Sequence, residues 1–212
     1  LSAFLQALVS GSRRWRQLIL AVEVLDPGVK PDDDEALHLL ATGRGSLAFL
    51  LGNEDARFRL FSGCINWDRV VFARLDGDIA GFMAFQWQGK GPYAPKLAGF
   101  FSEFGYISGF WRWFFNLVLE ARAGHEGFYV YGLKVIPAAR RQGVARALME
   151  AAERHAASLG AGMVELEVYD TNERALAFYR ALDYQVRGRV RLVFMRRLLN
   201  FSAVLRLAKS VH

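Results

Sequence analysis

The stretch Leu133-Lys134-Val135-Ile136-Pro137-Ala138-Ala139-Arg140-Arg141-Gln142-Gly143-Val144-Ala145-Arg146 decides how the rest of the chain is read. It continues an apolar run from Phe128, which predicts a strand over 128–136 that ends at Pro137. Beyond it Val144, Leu148, Ala151 and His155 fall on one helix face, and Leu159-Gly160 stops that helix. In such a strand-loop-helix unit the loop amides and the first helical N–H groups, which have no intrahelical partner, converge on one point. They suit a phosphate or pyrophosphate. Gly143 lets the backbone approach closely, Ala145 is small for the same reason, and Arg140, Arg141 and Arg146 add charge. A P-loop would need Gly-Lys-Ser/Thr at the helix start, and a dinucleotide fingerprint three spaced glycines. The stretch has neither.

Working outward, Met163–Tyr169 alternates, with Val164, Leu166 and Val168 on one face and Glu165 and Glu167 on the other. A short helix over 173–182 follows, then two strands at about 184–187 and 190–197. Upstream, 70–75 and 79–87 read as strands joined by Asp76-Gly77-Asp78, a hairpin signal. Residues 18–25 read as a strand stopped by Asp26-Pro27-Gly28. Pro31 and the acids 32–35 open a helix, and a second helical stretch over 46–61 breaks at Gly52. The order predicts an α/β domain on a mixed central sheet flanked by helices, spanning 18–197. A helical extension over 1–17 precedes it, and an amphipathic tail over 198–212, read as a helix, follows.

Composition fits one folded domain: 212 residues, 53% hydrophobic and 23% charged. The net charge of +6 favours anionic partners. No zinc-finger spacing or aromatic RNA-binding signature accompanies it, so nucleic acid is not expected. Cys64 is the only cysteine, which excludes an intrachain disulfide and points to a reducing, cytoplasmic setting. The histidines at 38, 125, 155 and 212 lack metal-ligand spacing, so no metal is expected. The apolar start precedes Arg13 and Arg14, the reverse of a signal peptide. Glu103, Arg112 and Asn116 argue against a span over 99–119.

Arg140-x-x-Gly143-x-Ala145 resembles the Q/R-x-x-G-x-G/A signature of the GNAT superfamily of N-acetyltransferases. Leu166-Glu167-Val168, Asn172, Ala175, Ala177, Phe178 and Tyr179 follow in that family's order. The likeness is strongest over 128–187 and compatible over 18–90. It implies acetyl-CoA, or another acyl-CoA, held in a cleft where strand 128–136 splays from strand 163–169. The edge at Leu133 and Val135 would pair with the pantetheine amides. Arg141, Gln142, Gly143, Val144, Ala145 and Arg146, with Arg140, would hold the pyrophosphate. Asn172 would bond the pantetheine arm. An acceptor amine would attack the thioester, with Tyr179 protonating the leaving thiolate. For the base the family implies either a carboxylate near Tyr129, where none stands, or Glu167. Glu103, Glu126 or a water are the other candidates. Asp183-Tyr184 departs from the family's Gly-Phe. A non-catalytic acyl-CoA-binding module is the rival reading.

The third and fourth strands are separated by an aromatic, partly helical insert over about 89–127. Phe110, Trp111, Trp113, Phe114 and Phe115 leave it apolar nearly all round. It reads as extra core or a homodimer contact, as the wall of a pocket for an apolar acceptor or longer acyl chain, or, with the basic tail, as a peripheral membrane contact.

Overall fold

The computed structural model describes residues 22–122, 127–191 and 203–211. Asp76 and Gly77 both carry positive φ and fold Val70–Leu75 (β2) back on Asp78–Gln86 (β3). This is the geometry a two-residue Asp-Gly turn favours. After its first residue β3 is buried throughout, as its near-continuous apolar run requires of a strand covered on both faces. Around it builds a seven-stranded sheet in the order β1-β2-β3-β4-β5-β7-β6. The outer members are Val22–Val24 (β1) and Gln185–Arg191 (β6). Phe128–Val135 (β4), Met163–Tyr169 (β5) and Ala203–Ser210 (β7) complete it. All neighbours are antiparallel except β4 and β5.

On one side lie Asp34–Ala41 (α1), Ala48–Leu51 (α2), Glu54–Phe61 (α3), Leu97–Phe104 (α4) and Tyr106–Arg122 (α5). On the other lie Val144–Ser158 (α6) and Glu173–Arg180 (α7). Asp33 and Asn53 cap α1 and α3 by accepting from Glu35 N and Ala56 N, each cap contributing about 1 kcal/mol. The α6 side holds the largest apolar cluster, including Phe85, Phe128, Leu148, Leu166 and Leu207. Fully burying each such side chain contributes about 1.5–3 kcal/mol.

The mixed sheet, its flanking helices and the helical insert between the third and fourth strands agree with the sequence reading. The C-terminal tail does not. Residues 203–210 form β7, not a helix, and β7 lies between β5 and β6. The physical reason is a period of two. Leu205 and Leu207 pack towards α6, and Lys209 bonds Glu153 there at 2.7 Å, while Arg206 points to the opposite face beside Glu167. The strand expected at 184–187 runs on as β6 to Arg191. Residues 192–202 and the extension over 1–17 lie outside the described residues. Asp183 takes φ 66°, the left-handed region glycine favours and aspartate tolerates, so the departure from Gly-Phe leaves the turn intact.

Candidate active site

The β4–β5 ladder pairs Phe128 with Val164, Tyr129 with Glu165 and Val130 with Leu166, and then stops. Both strands continue, β4 to Val135 and β5 to Tyr169. Their separation leaves the β5-facing edge of β4 open from Tyr131 onward, as the resemblance implied. On its other side β4 stays paired with β3, with a bulge where Ala84 faces Gly132 but Phe85 faces Val130. A bulge of this kind re-aims side chains. Leu133 and Val135 pack against the α6-side cluster, whereas Tyr131 packs on the opposite face.

The open edge leads into a one-turn 3-10 helix, Pro137–Ala139, and then to Gly143, which precedes α6. Gly143 has φ 84° and ψ −8°, and no side chain caps α6 behind it. The amides of Val144, Ala145 and Arg146 therefore have no intrahelical partner and face outward with the macrodipole. Arg140, Arg141, Gln142 and Arg146 are exposed around them, with Gln142 Nε2 donating to Ala138 O at 2.8 Å. Arg141 also has positive φ, 62°, which curls the loop around this point. An anionic ligand such as a pyrophosphate fits these groups.

The other expected residues divide between the two faces. Asn172 caps α7, its Oδ1 accepting from Ala175 N at 3.1 Å, which leaves its amide NH2 as the donating end. Tyr179 is 8% exposed, belongs to the same cluster as Leu133 and Val135, and meets the rings of Phe178 and Tyr184 edge-on. Burial pushes its phenol up to about 12. Glu167 lies on the opposite face, 3.7 Å from Arg206. Its charge, after burial, helps raise the phenol of Tyr129. Glu103 is held by Arg59 through two bonds of 2.6 and 2.7 Å, and that guanidinium keeps its carboxyl below the ordinary range. It is a committed ion-pair partner rather than a base. Glu126 lies outside the described residues.

Sequence reasoning missed the most developed polar cluster of this face. A cavity of about 230 Å³ adjoins the bulge at Gly132 and is lined by Arg44, Tyr93, Glu120, Tyr129, Tyr131 and Tyr169, among others. Glu120 comes from α5. Its Oε1 accepts from Tyr131 Oη and lies 2.8 Å from Arg44 Nη2. Arg44 Nη1 donates to Asn116 Oδ1 at 3.1 Å, and the guanidinium sits 5.4 and 5.3 Å from the ring centres of Phe61 and Tyr131. Burial raises the phenols of Tyr93, Tyr129 and Tyr131, so all three stay neutral at physiological pH. The signal that could have revealed Glu120 is the stripe Gly109, Trp113, Asn116 and Glu120, at three- and four-residue steps along a mostly apolar helix. That polar stripe turns inward: Gly109 and Asn116 are buried, while Trp111 and Phe115 are exposed. Among the described residues no cluster could hold a metal ion, and no helix is long and apolar enough to cross a membrane.

The family model described as "Acetyltransferase (GNAT) family" matches residues 48–184. No protein of curated function matches the sequence. Among solved structures, the ribosomal-protein-S18-alanine N-acetyltransferase of Escherichia coli is 15% identical with a TM-score of 0.50, over 90% of this chain and 94% of that one. An acetyltransferase of Bacillus subtilis, solved with CoA, is 13% identical with a TM-score of 0.52, over 91% and 99%. Nourseothricin acetyltransferase is 23% identical with a TM-score of 0.47 over 68% of this chain, which spans 65% of that protein's length. These likenesses concern the fold. With the family model covering well over half of the sequence, the chain belongs to the GNAT acetyltransferase family.

Proposed function

We propose that the protein transfers an acetyl group from acetyl-CoA to the nitrogen of a primary amine. The observation that supports this most is the parting of β4 from β5 after Val130 and Leu166, on the strand that leads into the uncapped start of α6. Leu133 and Val135 pair with the pantetheine amides as a short added strand would. The amides of Gln142, Gly143, Val144, Ala145 and Arg146, with Arg140, Arg141 and the Arg146 side chain, hold the pyrophosphate. The NH2 of Asn172 donates to the pantetheine arm. The acceptor enters from the tyrosine-lined face, its nitrogen bonds the thioester carbon, and the C–S bond breaks. Glu167 takes the proton from nitrogen, and the departing thiolate accepts a hydrogen bond from the Tyr179 hydroxyl and takes its proton from solvent. A phenol at about 12 lies about 3.5 pH units above a thiol of ordinary pKa, about 8.5. Tyr179 therefore acts mainly by a hydrogen bond that strengthens as charge builds on sulfur. The lone cysteine suits a cytoplasmic setting.

The outward face of α5 supports a contact with a second copy of the chain. Tyr106 and Ile107 are each 80% exposed, and Phe110, Trp111, Phe114, Phe115 and Leu117 between 39% and 54%. At about 150–250 Å² per side chain that is roughly 600–1,000 Å² of apolar surface. A standard interface takes about 800 Å² from each partner. None of these positions is basic, as an anionic bilayer would favour.

The test of acetyl transfer is thiol release from acetyl-CoA with a panel of primary amines. Amine-dependent release is expected. Acetyl-CoA binding without release for any amine would leave a binding module instead. No binding, with Gly143→Glu making no difference, would sink both readings.

A further inference from the structure

We propose that the cavity beside the β4 bulge is an ammonium site, in which Glu120 of the insert selects a cationic primary amine as acceptor and Arg44 positions Glu120. The catalytic consequence rests on the acetyl-transfer reading above, and the binding claim rests on the cavity itself. Before attack the bound ammonium gives one proton to solvent at the open cavity, which restores the nitrogen lone pair, and the second proton leaves to Glu167 as the amide forms.

The cavity holds one guanidinium and one carboxylate among its lining residues, and the two are not equally committed. Arg44 is nearly buried, spends Nη1 on Asn116 and Nη2 on Glu120, and lies against two aromatic rings. It has little left for an incoming anion. Glu120 receives both Tyr131 and Arg44 on Oε1, and among the described residues no hydrogen bond ends on Oε2. The carboxylate is thus fixed in orientation with one oxygen uncommitted, and its side chain keeps 29% of its exposure. Four tyrosines share the lining, and tyrosine faces attract a cation through the ring quadrupole. A preorganised carboxylate among aromatic rings is what an alkylammonium group requires, and what a neutral or anionic acceptor would leave unpaired. The insert thereby acquires a role that its outward aromatic face does not give it: α5 delivers Glu120 to the face that the bulge at Gly132 opens.

The test compares benzylammonium with its neutral isostere benzyl alcohol by calorimetry on protein saturated with CoA. Benzylammonium is expected to bind roughly tenfold or more tightly than the alcohol, the preference a charged hydrogen bond gives. Glu120→Gln should abolish the preference. Because that change leaves Arg44 uncompensated, the double variant Arg44→Met/Glu120→Gln, which removes both charges, should fold and lose the preference too. In turnover, Glu120→Gln should raise KM for benzylamine, cationic at pH 7, about tenfold or more. It should leave KM for acetyl-CoA within about twofold, and lower kcat/KM for aniline, which is neutral, at least about threefold less than for benzylamine. A purely structural role would depress both amines alike. Equal binding of cation and alcohol, absence of binding by either, or equal loss for both amines overturns the proposal. Glu120-dependent binding without thiol release would instead count against acetyl transfer and leave the ammonium site standing.

Discussion

Gly143→Ala separates a cost in folding from a cost in binding. Gly143 has φ 84°, and a Cβ built there meets nothing within 4 Å, so a methyl group causes no clash in the protein itself. What remains is the left-handed backbone, about 1–2 kcal/mol for an L-residue. It is partly offset by about 0.4–1 kcal/mol from the stiffer unfolded chain. A net loss of about 1 kcal/mol lowers Tm by about 2–4 °C. Gly77, in the β2–β3 turn, has φ 94° and equally open surroundings, so Gly77→Ala should cost about the same. Only at 143 does the new methyl stand where the phosphates must meet the amides. Losing one charge-assisted hydrogen bond there, about 1.5–3 kcal/mol, weakens acetyl-CoA binding roughly 10- to 100-fold. Thermal unfolding and calorimetric titration on both variants provide the comparison. If Gly143→Ala binds acetyl-CoA as tightly as the wild type while both variants lose equal stability, the amide-held pyrophosphate is wrong.

Other outcomes follow from single contacts. Tyr179→Phe should lower kcat about 100-fold and leave calorimetric acetyl-CoA affinity unchanged; unchanged turnover would remove Tyr179 from the chemistry. Leu207→Ala, at a fully buried position in β7, should cost about 2–5 kcal/mol in denaturant unfolding. A surface-like cost below 0.5 kcal/mol would contradict a C-terminal strand inside the sheet. Gly109→Ala should destabilise the α4–α5 pair, because a Cβ there comes within 2.4 Å of Phe100 O; a neutral Tm would refute that approach. Burial, then the charge of Arg69, depress His155 below its ordinary 6.5, and the ring lies edge-on to Phe85 and Phe128. Its contribution is complete above about pH 6.5 and falls as pH drops from there towards the folded-state pKa, because the unfolded chain takes up the proton first. His155→Leu should flatten that part of the stability–pH curve, and an unaltered slope would exclude His155 as its source.

What could be read from residues alone follows the range of the forces involved. The hairpin at Asp76-Gly77, the strand over 163–169 and the helix after Gly143 depend on neighbours in sequence, and their periodicities show it. The tail misled because Leu198, Leu199, Phe201, Val204, Leu205 and Leu207 also satisfy helical spacing. Only pairing with both β5 and β6 makes 203–210 a strand. The proposed donor side could be read for the same local reason, since Leu133 to Arg146 is one continuous segment. The proposed acceptor face could not. Arg44, Tyr93 and Glu120 come from three separate segments, and Arg44 reaches Asn116 across 72 residues. The aromatic insert drew notice for its many aromatic residues, yet its contribution to the cavity is a single side chain, Glu120.

The most direct test of the site is amide hydrogen exchange with and without saturating acetyl-CoA. Binding to the open edge of β4 and the start of α6 predicts slowed exchange within 131–135 and 142–147, with little change in the β2–β3 turn around Gly77. Acetyl-CoA that binds but protects other segments, leaving 131–135 and 142–147 unaltered, would contradict the assignment.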